Sequence, residues 1–302
     1  MKFSVFNLCF YTKIKECDLK QTKAQTNLGG NDLYKLVAID IDGTLVNDHK
    51  QITKEVNDAI QAARAKGVKV VLCTGRPIDG IDPFIDELKL NSEDEYTITF
   101  NGALVQNTFT EEVFSETSLT YGDLKALYEL SVNVESPMHY FDSANLYTPH
   151  KNINKYTVYE SYINSIPLHY MPVEEAKEDM LIPKVMFIDE PDRLDKIIRS
   201  IPEEFRERYE MVQSAPFFLE ILHPSVSKGN AVKKLAEKLG IQREEVICMG
   251  DGGNDLSMIE YAGCGVAMAN AIPSIKEAAK FQTLSNNENG VAYAIQKLIL
   301  DK

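Results

Sequence analysis

From Leu36 onward, short apolar runs alternate with amphipathic stretches, and the two periods predict different elements. Leu36 to Ile41 (Leu-Val-Ala-Ile-Asp-Ile) and Val68 to Cys73 are nearly continuous apolar runs, the pattern of strands buried on both faces. Between them Val56, Ile60 and Ala63 recur at helical spacing over Thr53 to Lys66, with a stop at Gly67. A helix around Asp82 to Leu88 and a strand at Tyr96 to Phe100 continue the strand-helix-strand rhythm, which predicts a parallel sheet with helices on both faces. That rhythm returns late in the chain. It predicts a helix over Gly229 to Leu239, a strand at Val246 to Met249, a helix over Asn254 to Tyr261, and a short strand at Gly265 to Met268. Helices near Ser274 to Ala279 and Gly290 to Leu300 complete it.

The middle of the chain reads differently. Helical stretches at Thr120 to Leu130, Asn152 to Ile163 and Asp192 to Ile201 alternate with strands at Met138 to Phe141, Lys184 to Ile188, Tyr209 to Ser214 and Phe217 to Leu222. Polar turns at Asp142 to Asn145, Pro167 and Pro172 interrupt them. The fold class expected is therefore α/β: a doubly wound, Rossmann-like core with a mainly parallel sheet, and an inserted α+β cap domain with a mostly antiparallel sheet. The expected boundaries are a discontinuous core over 33–116 and 217–302 and a cap over 117–216.

Residues 1–32 lack periodicity and end in the polar, Gly-rich stretch Gln21 to Asp32, so they read as a tail outside any domain. Leu28-Gly29-Gly30 can be encoded by AGGAGG, a bacterial ribosome-binding sequence, with Leu33 where a start codon would follow. The expectation is that these residues are upstream sequence translated in a mis-assigned reading frame.

Composition narrows the function classes. The chain has 302 residues, 44% hydrophobic and 25% charged, which excludes a disordered or disulfide-rich small scaffold. A net charge of -13 argues against nucleic acid or an anionic membrane surface as partner, because the phosphate term is repulsive overall. An anionic small molecule stays open if a metal ion or a local cluster supplies positive charge. Five cysteines without metal-ligand spacing, and no membrane-length apolar run or signal peptide, point to a cytoplasmic protein.

In an open parallel sheet the ligand site lies outside the carboxyl ends of the strands. Four polar clusters follow apolar strands or open a helix: Asp40-Ile-Asp-Gly-Thr44, Thr74-Gly-Arg-Pro77, Ser227-Lys-Gly229 and Gly250-Asp-Gly-Gly-Asn-Asp255. Asp40 and Asp42 flank one residue, so in extended backbone their carboxylates point to one side, close enough to share a divalent cation. Asp251 brings another carboxylate to the sparse oxygen shell that Mg²⁺ favours. Thr74 and Gly75 offer a hydroxyl and an open backbone N–H to a phosphoryl oxygen. Lys228 opens a helix, where its ammonium and the dipole both favour an anion. Asn254 is either a helix cap or a ligand, and Asp255 either complements the dipole or holds Lys228 by an ion pair.

DIDGT, TGR, SKG and GDGGND, in this order, resemble the four motifs of the haloacid dehalogenase superfamily, specifically its Cof-type, sugar-phosphatase-like branch. The resemblance covers nearly everything from Tyr34 to Lys302, including Gly265-Val-Ala-Met-Ala-Asn-Ala271, and the late position of the insertion matches that branch. It implies a phosphatase acting on small phosphorylated metabolites, sugar phosphates foremost, with Mg²⁺ as cofactor. Asp40 would be the nucleophile that forms an aspartyl-phosphate. Asp42 would protonate the leaving alkoxide and then activate water. The metal would be held by the Asp40 carboxylate, the Asp42 carbonyl and the Asp251 carboxylate. Thr74, Gly75, Lys228, Asn254 and the Ile41 backbone N–H would bind the phosphoryl group, with Asp255 behind them. Arg76 and Asn101 are weaker candidates for substrate contact, a structural salt bridge or turn role being the alternative. A phosphomannomutase-like transferase is the enzymatic alternative and a non-catalytic phosphometabolite-binding regulator the other. A dehalogenase is disfavoured because that chemistry does without the metal and the second Asp.

Overall fold

The structure, a computed structural model, describes residues 34–302; the expectation for residues 1–32 falls outside them. The chain opens with strands β1 (Leu36–Ile39), β2 (Lys69–Cys73), β3 (Tyr96–Thr99), β4 (Leu104–Asn107) and β5 (Val113–Glu116). Helices α1 (Lys54–Ala65) and α2 (Asp82–Glu87) fall between the first three. It then builds β6 (Met138–Phe141), β7 (Leu146–Thr148), β8 (Leu168–Tyr170), β9 (Val185–Ile188), β10 (Glu210–Ala215) and β11 (Phe218–Leu222), with α3 (Tyr121–Asn133), α4 (Lys155–Ile163), α5 (Pro191–Ser200) and α6 (Glu203–Arg208). The last part holds α7 (Lys228–Lys238), β12 (Val246–Gly250), α8 (Leu256–Tyr261), β13 (Cys264–Ala267), α9 (Pro273–Ala278), β14 (Phe281–Gln282) and α10 (Gly290–Ile295).

Eight strands form one sheet in the order β14-β13-β12-β1-β2-β3-β4-β5, parallel through β3 and closed by an antiparallel hairpin. From the central β1 the chain winds outward to β2 and β3, then returns to β12 and winds the other way. Right-handed crossovers therefore put α1 and α8 on opposite faces, and the β1/β12 junction is the topological switch point. β1, β2 and β12 are apolar and buried almost throughout because helices cover both of their faces. At about 1.5–3 kcal/mol per buried aliphatic side chain, this layered core dominates the favourable side of folding. Local signals agree: Thr53 caps α1, its side chain accepting from the Val56 N–H at 3.3 Å.

The inserted α+β part is a six-stranded sheet, β10-β11-β9-β6-β7-β8, antiparallel except between β7 and β8. Alternation sorts its residues. Met138, Tyr140, Val185, Phe187, Leu219 and Ile221 pack on the helix residues Leu124, Leu127, Leu194 and Ile197. The opposite face, with Phe141, Met186, Ile188, Phe218 and Leu222, packs against Phe100, Ala103 and Leu104 beside the parallel sheet.

Four expectations change. The boundary expected at 216/217 would separate β11 from its partners, yet β11 pairs with both β9 and β10, so the return crossing falls after Leu222. The β4–β5 hairpin was not expected; its strands are short and its turn is made by Asn107, whose Oδ1 accepts from the Phe109 and Thr110 N–H groups at 2.9 and 2.8 Å. β7, β8 and α6 were also missed, being too short to show a period. The helix expected from Asn254 begins at Leu256, after a 3₁₀ turn over Gly253–Asp255. Among the described residues no helix is long and apolar enough to cross a membrane.

Candidate active site

β1 and β12 end side by side at the switch point and deliver Asp40 and Asp251 from their carboxyl ends. The chain leaves β1 through a tight turn in which the Ile41 carbonyl accepts from the Thr44 and Val46 N–H groups at 3.3 and 3.1 Å, and the Asp40 carbonyl accepts from Leu45 at 3.1 Å. Gly43 sits in this turn with φ +85°, and a Cβ there would stand 2.4 Å from Asp251 Oδ2. Only glycine satisfies both the backbone and the space.

Lys228 is the centre of charge. It is fully buried at the start of α7, and its Nζ donates to Asp40 Oδ1 and to Asp255 Oδ1, each at 2.6 Å. The other oxygen of Asp255 accepts from the Asp251 and Gly252 N–H groups, both at 2.9 Å. Gly229 lets α7 approach α8 this closely: its N–H donates to Ser257 Oγ at 3.0 Å, and a Cβ would lie 2.3 Å from the Ser257 carbonyl oxygen. Burial and the Asp255 carboxylate push the Asp40 carboxyl up, against the pull of Lys228. Burial and Asp255 likewise push Asp251 up to about 6, against the hydrogen bond from Thr44. Burial also raises the thiols of Cys73 and Cys248, which are free, buried and inert beside this cluster.

Among the described residues, Asp40, Asp251 and Asp255 offer carboxylate oxygens within 4.8 Å of one another. Hard oxygen donors in this number suit Mg²⁺. Asp255 already accepts three hydrogen bonds on its two oxygens, which leaves Asp40 and Asp251 as the carboxylates with capacity for a cation. Asp251 is steadied by Thr44 Oγ1 at 3.1 Å and by Asn270 Nδ2 at 3.2 Å, which also donates to the Gly43 carbonyl at 2.8 Å.

Asp42 departs from the sequence expectation. Its carboxylate is not one of the three that gather within 4.8 Å of one another; it is gripped by Arg76, with Nε to Oδ2 at 2.8 Å and a terminal nitrogen to Oδ1 at 2.7 Å, and by Lys50 Nζ at 2.7 Å. Two cations outbid the shared-ion geometry of an extended strand, because the turn after Ile41 swings Asp42 toward the β2 loop. Burial opposes the charge, but the bonds from Arg76 and Lys50 outweigh it and hold this carboxyl below the usual range. Arg76 is thus a bidentate salt-bridge partner.

Thr74 and Gly75 follow β2. The Thr74 N–H donates to Ile98 and its carbonyl accepts from Asn101, both at 2.9 Å, while its hydroxyl accepts from the Arg76 N–H at 3.2 Å. Asn101 is buried in left-handed backbone (φ +57°), and its Oδ1 accepts from Asn254 Nδ2 at 2.9 Å. Asn254 is therefore not a helix cap; its amide faces Asn101. Sequence reasoning missed Lys50, Asn270, Lys184 and Glu220. The signal for the last two was a lone charge in an apolar run, Pro183-Lys-Val-Met-Phe187 and Phe218-Leu-Glu-Ile-Leu222.

The family profile described as haloacid dehalogenase-like hydrolase matches residues 37–295. The Bacillus subtilis (strain 168) protein named "Putative phosphatase YxeH" is 62% identical over 270 residues, covering 89% of this chain and all of its own. From the same organism, "5-amino-6-(5-phospho-D-ribitylamino)uracil phosphatase YcsE" is 33% identical, covering 88% of this chain and 96% of its own. A crystal structure of a haloacid dehalogenase-like hydrolase from Bacteroides thetaiotaomicron superposes with a TM-score of 0.77 at 31% identity, covering 88% of this chain and 100% of that one. The sugar phosphatase BT4131, described as HAD subclass IIB, gives 0.73 at 26% identity, with 87% and 98% covered. The chain belongs to the haloacid dehalogenase-like hydrolases, among relatives that carry phosphatase names.

Proposed function

We propose that the protein is a Mg²⁺-dependent phosphatase of small phosphorylated metabolites, sugar phosphates foremost, working through an aspartyl-phosphate. The observation that carries this reading is the Asp40–Lys228–Asp255 cluster at the β1/β12 junction, with Asp251 within reach of the same point. Mg²⁺, held by the Asp40 and Asp251 carboxylates and the Asp42 carbonyl, would offset the repulsion between Asp40 and an incoming phosphate.

The remaining work falls to the chain. Asp40 Oδ attacks phosphorus, the P–O bond to the substrate breaks, and the phosphoryl group is left on Asp40. Water then attacks that phosphorus, free phosphate leaves, and the Asp40 carboxylate is regenerated. Lys228, Thr74, Gly75, Asn254 and the Ile41 N–H donate to the three non-bridging oxygens; positioning and charge do most of the catalysis. Asp42 protonates the departing alkoxide and then takes a proton from the water. As gripped by Arg76 and Lys50 it is set to accept, which suits the second step; the first requires it to leave Arg76 with a proton. The α+β insert acts as the cap that selects the leaving group and excludes water. Free, buried Cys73, Cys248 and Cys264 fit a reducing cytoplasm.

Phosphate release from a panel of sugar phosphates, nucleotides and pyridoxal phosphate, with Mg²⁺ and with EDTA, tests the proposal. Turnover that needs Mg²⁺ and is lost in Asp40→Asn supports it; full hydrolysis by Asp40→Asn refutes the assignment. An isomeric hexose phosphate without phosphate release would identify a transferase instead.

A further inference from the structure

Three charged side chains are buried between the cap sheet, its helix α4 and the core, and the chemistry above uses none of them. Lys184 is 1% exposed, and its Nζ lies 3.3 Å from Glu220 Oε1, 3.7 Å from Glu160 Oε1 and 3.4 Å from the Gly75 carbonyl oxygen. Burying ions costs several kcal/mol each even in pairs, so such a cluster is an expensive way merely to fill space. The second oxygen of Glu220 reaches the core, where Oε2 accepts from Asn101 Nδ2 at 2.7 Å. Asn101 Oδ1 in turn accepts from Asn254 Nδ2. A single hydrogen-bonded chain thus runs from a cap strand to the loop after β12.

The chain has a direction. A side-chain amide presents either its NH₂ or its oxygen to a neighbour, the two differing by a half-turn. A carboxylate paired with an ammonium can only accept. Glu220 therefore draws the NH₂ of Asn101, Asn101 turns its oxygen to Asn254, and Asn254 must answer with its own NH₂. Asn101 is held for this role by its left-handed backbone and by the space at Gly75, where a Cβ would come within 3.1 Å of Asn101 Oδ1.

We infer that Glu220, acting through Asn101, is a positioning residue that keeps the amide N–H of Asn254 directed at the transferring phosphoryl group. The inference rests on the reading of Asn254 as a phosphoryl ligand. Phosphoryl oxygens only accept, so an Asn254 reversed to show its oxygen would repel them. With a neutral amide in place of Glu220, both asparagines are free to reverse.

The test uses the full chain, with inorganic phosphate plus Mg²⁺ as the binding probe followed by calorimetry, and kcat and KM on the best substrate of the panel. The set is Glu220→Gln, Asn101→Ala, Asn254→Ala and the double variant Glu220→Gln/Asn254→Ala. Glu220→Gln and Asn101→Ala should each weaken phosphate binding and kcat/KM by about tenfold to a hundredfold, the worth of one hydrogen bond to a charged group. In the Asn254→Ala background Glu220→Gln should cost less than about twofold, because Glu220 acts only through Asn254. A cost in that background equal to its cost in the parent makes the role merely structural and overturns the inference, as does unchanged phosphate affinity in Glu220→Gln. Should Glu220→Gln not fold, Asn101→Ala, which interrupts the chain and leaves Lys184 paired, is read by the same criteria, alone and combined with Asn254→Ala. A parent protein that binds phosphate but hydrolyses nothing overturns the hydrolase reading alone. A parent that binds no phosphate overturns both.

Discussion

Replacing Lys228 by Met removes the ammonium and keeps most of the volume. Lys228 is fully buried, and the Asp40 and Asp255 side chains it bridges are 9% and 1% exposed, so two carboxylates are left in a dry site without their cation. Breaking a buried ion pair by removing one partner costs about 3–5 kcal/mol. The sign of the pH dependence follows. Lys228 pulls the Asp40 carboxyl down against burial and Asp255; without it, the Asp40 carboxyl rises further above its unfolded value near 4. A raised folded value means that the folded variant binds more protons than the unfolded chain, so its stability is present in acid and lost as pH climbs toward the folded value. The deficit of Lys228→Met relative to the parent should therefore be about 3–5 kcal/mol at pH 9.5, above the folded value of about 8 that Asp40 has in the parent. At pH 7, where Asp40 is protonated in both, it should shrink by about 1.4 kcal/mol for each unit by which the variant's carboxyl has risen. Urea unfolding in EDTA at the two pH values, followed by two probes whose transitions must coincide, measures both. A deficit under about 1 kcal/mol at pH 9.5, the scale of a surface pair, would refute the reasoning; so would a deficit flat in pH.

Arg76→Met frees Asp42 from its strongest partner, so its carboxyl should rise and carry upward the alkaline limb of the kcat/KM profile, the limb set by the group that protonates the leaving alkoxide. A limb that stays in place refutes the assignment of that limb to Asp42. Gly43→Ala forces an L-residue into φ +85° and a methyl against Asp251; a stability loss of about 1–2 kcal/mol and weaker Mg²⁺ binding by calorimetry are expected. His139 is buried neutral, its ring held well below the usual range by burial and by Lys184. Its contribution is present above the unfolded value near 6.5 and lost below it, by up to about 1.4 kcal/mol per pH unit. His139→Gln should therefore unfold with a flatter acid limb than the parent in pH-dependent denaturation.

The parts of the fold legible in the sequence are those whose pattern is imposed by burial on both faces. Leu36–Ile39, Lys69–Cys73 and Val246–Gly250 had no other reading than inner strands, and the polar residues after them had to lie at one sheet edge. Asp40, Asp251 and Lys228 were therefore locatable before any coordinates. What was illegible depends on pairing rather than pattern. The strands at 146–148 and 168–170 are defined only by their neighbours, and the hairpin at 104–116 by a turn. Asp42 was misplaced for a related reason: its orientation depends on Arg76 and Lys50, and nothing in the spacing of DIDGT records where those cations stand. Glu220 sits within β11 and Lys184 directly before β9, and it is their charge, isolated in those apolar runs, that carries the information.

The crossings between the two sheets carry an evolutionary consequence. The chain leaves the parallel sheet after Glu116 and returns after Leu222, and no residue between these points belongs to that sheet. Exit and re-entry meet at one place, since the Thr117 N–H donates to the Ala103 carbonyl at 2.8 Å while the neighbouring Gly102 lies against the Ser227 backbone, where a Cβ would stand 2.4 Å from its carbonyl oxygen. An insert with adjacent ends can be exchanged as a cassette while the strands that carry Asp40 and Asp251 keep every ladder bond. On the proposed reading of the insert as a cap, new leaving groups would be recruited by trading it and retaining the chemistry, provided the replacement brings its own acceptor for Asn101.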